Sequence, residues 1–198
     1  MADFAVAFAK HNPQRKVVGL DFSANMLAVG RKRVEKALLS TQVELIQGDA
    51  LALPFEDDSF SLVSVAYGLR NMADTRRGLR EMTRVCKPGG TVAVIEFCMP
   101  KRGWFAPFYR FYFRHVIPRI GAVITRDTVG AMRHLIDSVM SFPQGETLAD
   151  MMREAGLTQI EQHPMTFETV AVNTGIKPGC HRLPVSEKIE DKKSEHVA

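Results

Sequence analysis

The stretch Val17-Val18-Gly19-Leu20-Asp21-Phe22-Ser23-Ala24-Asn25-Met26-Leu27 is a short apolar run that stops on an acid and is followed at once by the start of a helix. Val17 to Leu20 reads as a strand closing on Asp21. Ser23 has the side chain of an N-cap, and Met26, Leu27 and Val34 continue with helical spacing. Strand, polar turn and helix together form the repeating unit of a layered α/β fold with a mainly parallel sheet.

The same alternation runs outward in both directions. Upstream, Ala2 to Lys10 is apolar at helical spacing, and His11-Asn12-Pro13 ends it. Downstream, Val43 to Gln47 reads as a second strand ending at Gly48-Asp49, and Leu53 to Asp58 as a turn-rich connection. Ser61 to Tyr67 reads as a buried strand, followed by Gly68-Leu69-Arg70-Asn71. The pattern predicts a helix from about Asp74 to Cys86, stopped at Lys87-Pro88-Gly89-Gly90, and then a strand from Thr91 to Phe97. Trp104 to Ile117 is dense in aromatics and arginines, and Asp127 to Ser141 reads as a helix. Thr147 to Ala155 is a further helix stopped by Gly156, and Gln159 to Met165 with Phe167 to Asn173 make an expected antiparallel pair. The folded domain is expected over residues 1–176. Residues 177–198 are polar and charged without apolar periodicity, the composition of a disordered tail.

Bulk properties agree with one globular domain: 198 residues, 45% hydrophobic and 24% charged. The net charge of +4 is uneven, since between Arg70 and Arg133 the only acids are Asp74, Glu81, Glu96 and Asp127. Such a field suits an anionic partner without choosing between nucleic acid, acidic lipid and a cofactor carboxylate. Cys86, Cys98 and Cys180 have neither disulfide-framework nor zinc-ligand spacing, so a reducing compartment and no bound metal are expected. The N-terminus lacks the pattern of a signal peptide, and no run approaches the ~20 apolar residues of a spanning helix. The expectation is a cytoplasmic protein, touching the inner face of a membrane peripherally if at all. A homo-oligomer is compatible with the sequence.

In open α/β sheets ligands bind beyond the carboxyl ends of the strands. Asp21 ends the first strand, where a carboxylate can bind both hydroxyls of a ribose. Asp49 and Ala50 end the second, where a carboxylate can take an adenine amino group while a small neighbour admits the ring. Either aspartate could instead be a helix cap or turn former. Arg70, taken alone, reads as a surface or ion-pairing arginine. His115 could be a general base, but a lone histidine in an aromatic segment is more often packed or solvated. The aromatics from Trp104 to Phe113, interleaved with Arg110 and Arg114 and followed by Arg119, fit core packing, a lid over a greasy substrate, or a membrane-surface face.

Three stretches look like motifs of class I S-adenosylmethionine-dependent methyltransferases: Val18 to Leu27, Gly48 to Phe55, and Val85 to Gly90. Three others, Tyr67-Gly68-Leu69-Arg70-Asn71, His115 to Gly121 and Phe142-Pro143-Gln144, resemble the ubiquinone/menaquinone-biosynthesis C-methyltransferases. The resemblance covers roughly residues 3 to 176. It implies a Rossmann-like sheet with helices on both faces, S-adenosylmethionine as cofactor, and methyl transfer to a ring carbon of a demethylated, lipophilic quinol. It further implies Asp21 at the ribose, Asp49 and Ala50 at the adenine, and the pair Arg70 and Asn71 beside the methyl-transfer site. The family often has serine two residues before the glycine of Gly-Leu-Arg-Asn, and this chain has Ala66 there.

A sulfonium methyl is already electrophilic, so the reaction needs in-line placement and help in removing a phenolic proton. An arginine can stabilise the resulting oxyanion or hold a water that takes the proton. The family's fold also begins with a central strand and an Asp-x-Gly-x-Gly loop, and nothing before Val17 matches them. Met1 to Lys10 resembles the helix after that loop, so the expectation is a sheet lacking its first strand. A start lying upstream, a strand from another chain, and a degenerate relative would each account for this. A non-catalytic or partner-dependent role is thus the alternative function. Nucleic-acid methylation is disfavoured, because Ala66-Tyr67-Gly68-Leu69 stands where amino-methylating enzymes carry Asn/Asp-Pro-Pro-Tyr.

Overall fold

The computed structural model describes residues 2–99, 105–112, 116 and 136–179. Trp104, Arg114, His115 and Arg119, and most of the helix expected from Asp127, lie outside the described residues. Helices are α1 (Asp3–His11), α2 (Ala24–Lys36), α3 (Thr75–Val85), α4 (Phe105–Phe111) and α5 (Glu146–Glu154). Strands are β1 (Val17–Asp21), β2 (Val43–Gln47), β3 (Phe60–Ala66), β4 (Cys86–Phe97), β5 (Thr158–Met165) and β6 (Val170–Ile176). Residues 136–141 are helical as well.

The first half forms where the local signals place it. Ser23 Oγ accepts the Met26 N–H at the start of α2, and Leu27, Gly30 and Val34 turn inward. Asp74 caps α3 in the same way through the Arg77 N–H, 2.9 Å away. β1 and β2 pair in parallel from Val17 opposite Val43 to Asp21 opposite Gln47. The Gln42 side-chain amide fixes the entry to β2 by donating to the carbonyls of Ala9, Asn12 and Arg15.

The second sheet runs in the order β3-β4-β6-β5, with β3 and β4 parallel and β6 antiparallel to both β4 and β5. The antiparallel pair expected near the C-terminus is therefore present, but its second strand starts three residues later than the pattern suggested. Thr166, Phe167 and Glu168 all have positive φ, which makes them the turn rather than the strand. The strand expected from Thr91 begins earlier, because Cys86 pairs with Phe60 before a register shift. Gly89 takes φ +76° in that irregular stretch.

Three apolar clusters result among the described residues, the smallest being Ile136 and Val139 packed with Phe97, Met99 and Tyr109. The largest holds Leu69, Leu79, Met82, Val92, Val94, Phe142, Leu148, Met152 and Leu157 between α3, α5 and the four-stranded sheet. The second gathers Ala9, Val34 and Val43 between α1, α2 and β2. Ser61 to Tyr67 was expected as a buried strand, yet no residue of β3 is buried, and none of β1. Among the described residues β1 pairs only with β2 and β3 only with β4, so one edge of each has no ladder partner.

The connection from β2 to β3 is held against α3 by Arg84. Its guanidinium donates to the carbonyls of Leu53 and Phe55 and to the carboxylates of Asp57 and Glu81. Lys177, where the tail was expected to begin, is bonded into the fold. Its N–H donates to the Gly90 carbonyl, its carbonyl accepts from Gly89, and its ammonium reaches Asp58.

Candidate active site

The carboxyl ends of β1 and β2 stand side by side. Asp21 is the register partner of Gln47, which places Asp49 two residues past that step. The Gly48 N–H closes the gap by donating to the Asp21 carbonyl at 3.2 Å, and Gln47 Nε2 reaches the Phe22 carbonyl at 3.0 Å. Each carboxylate uses one oxygen locally. Asp21 Oδ1 accepts the Ser23 N–H at 2.7 Å, and Asp49 Oδ1 accepts the Leu51 N–H at 2.8 Å. The turn-forming role open in the sequence is thus present at both positions. It leaves each Oδ2 without a partner among the described residues, so both carboxylates retain an acceptor for a ligand donor. Asp49 is exposed, while Asp21 and Ala50 are half-buried.

Phe22 was not anticipated. It follows Asp21 directly and is 79% exposed, an apolar ring standing next to two acids. Its signal in the sequence was slight, since an aromatic between a strand and a helix is usually read as core.

The end of β3 is built differently. Tyr67 N–H donates to the Ile95 carbonyl at 2.8 Å, and Tyr67 itself is left-handed, with φ 56°. For a non-glycine residue that conformation costs about 1–2 kcal/mol. It turns the chain into a single 3₁₀ turn, Leu69–Asn71, anchored by the fully buried Leu69. Arg70 and Asn71 both lie on this turn. Asn71 is exposed, with its Nδ2 3.4 Å from the Tyr67 carbonyl.

Arg70 is folded back beneath the turn. Its Nη1 donates to Glu96 Oε2 at 2.6 Å and to the Tyr67 carbonyl at 2.9 Å. Its own N–H faces Glu96 Oε1 at 3.3 Å. The two side chains are 8% and 3% exposed, which makes this a buried ion pair. The guanidinium also lies 5.4 Å from the centre of the Phe97 ring, and Phe97 packs on Tyr67 with centroids 4.5 Å apart. Glu96, the partner that determines this arrangement, was missed by sequence reasoning. A single glutamate near a strand end gives no sign that it will be buried.

The chain matches the model of the ubiE/COQ5 methyltransferase family over residues 1–177. It is 43% identical over 178 residues to the demethylmenaquinone methyltransferase of Bacillus cereus (strain B4264), an alignment that spans 89% of this chain and 74% of that enzyme. The enzyme of the same name from Bacillus anthracis (strain A0248) matches equally, at 43% identity over 178 residues. Solved structures resemble it in fold. The [4+2]-cyclase SpnF superposes with a TM-score of 0.66 at 18% identity, over 89% of this chain and 72% of that one. Phosphoethanolamine N-methyltransferase 2 of Haemonchus contortus, in complex with S-adenosyl-L-methionine, gives 0.63 at 18% identity, over 89% of this chain and 46% of that one. A cyclase and an N-methyltransferase on one scaffold show that the fold does not choose the reaction. The family match and the 43% identity are of another order, and the chain belongs to the ubiE/COQ5 methyltransferase family.

Proposed function

We propose that this chain transfers a methyl group from S-adenosylmethionine to a ring carbon of a demethylated menaquinol. The observation that carries this reading is the 43% identity to demethylmenaquinone methyltransferases across most of both chains. The ring carbon would gain the methyl group and give up its own proton to solvent, so that the products would be S-adenosylhomocysteine, the methylated quinol and one proton. When bound, the cofactor supplies an electrophilic methyl group.

This chain's residues do the rest. Asp21 Oδ2 accepts hydrogen bonds from the ribose hydroxyls, and Asp49 Oδ2 takes the adenine amino group. Phe22 and Ala50 cover the ring, the first by apolar contact and the second by leaving room. These assignments are supported by the two unpartnered carboxylate oxygens at adjacent strand ends. Arg70 and Asn71 flank the quinol, where Arg70 supplies positive charge to the phenolate that makes the neighbouring carbon nucleophilic. The domain carrying this activity is residues 1–176, with Lys177 bonded to its edge.

No helix among the described residues is long and apolar enough to cross a membrane. Peripheral contact is part of this reading, supported by Phe108 and Phe111, which are 62% and 60% exposed on α4.

The test is calorimetric binding of S-adenosylmethionine to the chain, followed by transfer of labelled methyl to demethylmenaquinol. Saturable binding with label in the quinone fraction is expected. An absence of binding would instead leave a partner-dependent or non-catalytic relative.

A further inference from the structure

The Arg70 guanidinium is committed on one side only. Nη1 is held by Glu96 Oε2 and the Tyr67 carbonyl, and the backbone N–H is held by Glu96 Oε1. Nε is fully buried and lacks a hydrogen-bond partner. Nη2 makes no hydrogen bond among the described residues and is not fully buried, so it keeps both an unused donor and some access to solvent. Because the group is planar, fixing Nη1 at two acceptors and laying the plane near Phe97 also fixes the direction of Nη2.

Glu96 is placed to do this and little else. It lies on the face of β4 that buries Val92 and Val94, a stripe otherwise apolar. A hydrophobic residue there would continue the core, and replacing a buried ion pair by apolar side chains is often neutral or stabilising. Fold stability therefore does not account for a carboxylate at this position, whereas orienting a cation does.

We propose that Glu96 is a positioning residue, which clamps Arg70 so that Nη2–H emerges at the carboxyl edge of β3 as the donor for a substrate oxyanion. This rests on the reading of Arg70 as the group beside the quinol. Glu96 itself touches no reactant and acts through Arg70.

The experiment compares the full chain with its Glu96→Gln and Glu96→Asp forms. Its first readout needs no turnover: the Arg70 Nε–H signal in ¹H–¹⁵N spectra, assigned by its loss in Arg70→Lys. A buried Nε–H exchanges slowly with water, so wild type should show a protected signal at neutral pH. E96Q should lose that protection, by at least tenfold in exchange rate, while the other amide signals persist. E96D, which keeps the charge, should recover part of it and shows that the change reflects lost clamping rather than unfolding. The second readout is kinetic. E96Q should lower kcat for demethylmenaquinol at least tenfold while leaving the Kd for S-adenosylmethionine within twofold. A signal unprotected in wild type, or an E96Q protein with wild-type protection or wild-type kcat, overturns the proposal. If wild type shows no turnover while the signals behave as expected, the assigned activity fails and the clamp stands.

Discussion

Asp21 and Gln47 are register partners at the last step of the β1–β2 ladder, and the Gly48 N–H bonds the Asp21 carbonyl just beyond it. This step brings Asp21 and Asp49 together from positions far apart in the chain. Among the described residues both carboxylates keep one oxygen without a partner, and on the proposed reading neutralising one should remove a charge-assisted hydrogen bond to the cofactor. Such a bond is worth about 1.5–3 kcal/mol. Asp21→Asn should accordingly weaken S-adenosylmethionine binding by about tenfold to a hundredfold. Its amide oxygen can still accept the Ser23 N–H, so the melting temperature should hardly move. Calorimetry and thermal unfolding on the same preparation separate the two effects.

Glu81 should make the fold acid-sensitive. The Arg84 guanidinium bonded to it holds its carboxyl below the ordinary value of 4.5, and the Leu53 N–H adds to the effect. A carboxylate whose folded pKa is depressed contributes stability that is fully present above the unfolded value. That stability is lost as pH falls through the folded one. Glu81→Gln should therefore cost about 1 kcal/mol at neutral pH. The difference from wild type should shrink as pH falls below the ordinary value of 4.5 and be smallest at the lowest pH. Urea titrations at pH 7, 5 and 3 would measure it.

Two neighbouring glycines should respond in different ways to alanine. A Cβ at Gly90 would lie 2.8 Å from the Lys87 carbonyl oxygen and 2.9 Å from that of Ser61, both backbone atoms that cannot step aside. A Cβ at Gly89 meets nothing within 4 Å, and only its φ of +76° opposes substitution. Gly89→Ala should thus cost about 1–2 kcal/mol. Gly90→Ala should cost more, because it displaces the β3–β4 pairing itself. Denaturant midpoints of the two variants give the order.

Leu79 is fully buried in the largest core, facing the sheet from α3. Leu79→Ala should destabilise by about 2–5 kcal/mol. For a domain of this size that corresponds to a fall of roughly 5–15 °C in melting temperature. S-adenosylmethionine affinity measured well below the transition should be unchanged, since Leu79 belongs to the core on the four-stranded sheet and not to the β1–β2 pair.

Much of the fold could be read from local chemistry. Ser23 and Asp74 announce α2 and α3 because a capping oxygen acts within three residues, and Gly156 stops α5 just as locally. The misreadings have non-local causes. Cys86 joins β4 because Phe60 is there to pair with it, which no window around Lys87-Pro88-Gly89-Gly90 contains. β6 starts late because three consecutive residues without glycine, Thr166 to Glu168, adopt positive φ. The positions of Asp21 and Asp49 at successive strand ends could be read because strand ends are visible in sequence. Phe22 and Glu96 could not, since exposure of the one and burial of the other are decided by tertiary packing.

The position of β6 bears on how the protein is made. The last of the described strands to leave the ribosome is not at an edge of its sheet: β6 inserts between β4 and β5 and pairs with Thr91–Phe97 of the one and with β5 on the other side. Asn173 Nδ2 then approaches the Val94 carbonyl, and Lys177 reaches back to Asp58 and Arg84. Until residues 170–177 emerge, one flank of β4 and the whole of β5 have no ladder. The nascent chain must carry them as bare strands, and such edges recruit other chains. Chaperone demand should therefore peak after β5 emerges and fall once β6 is released.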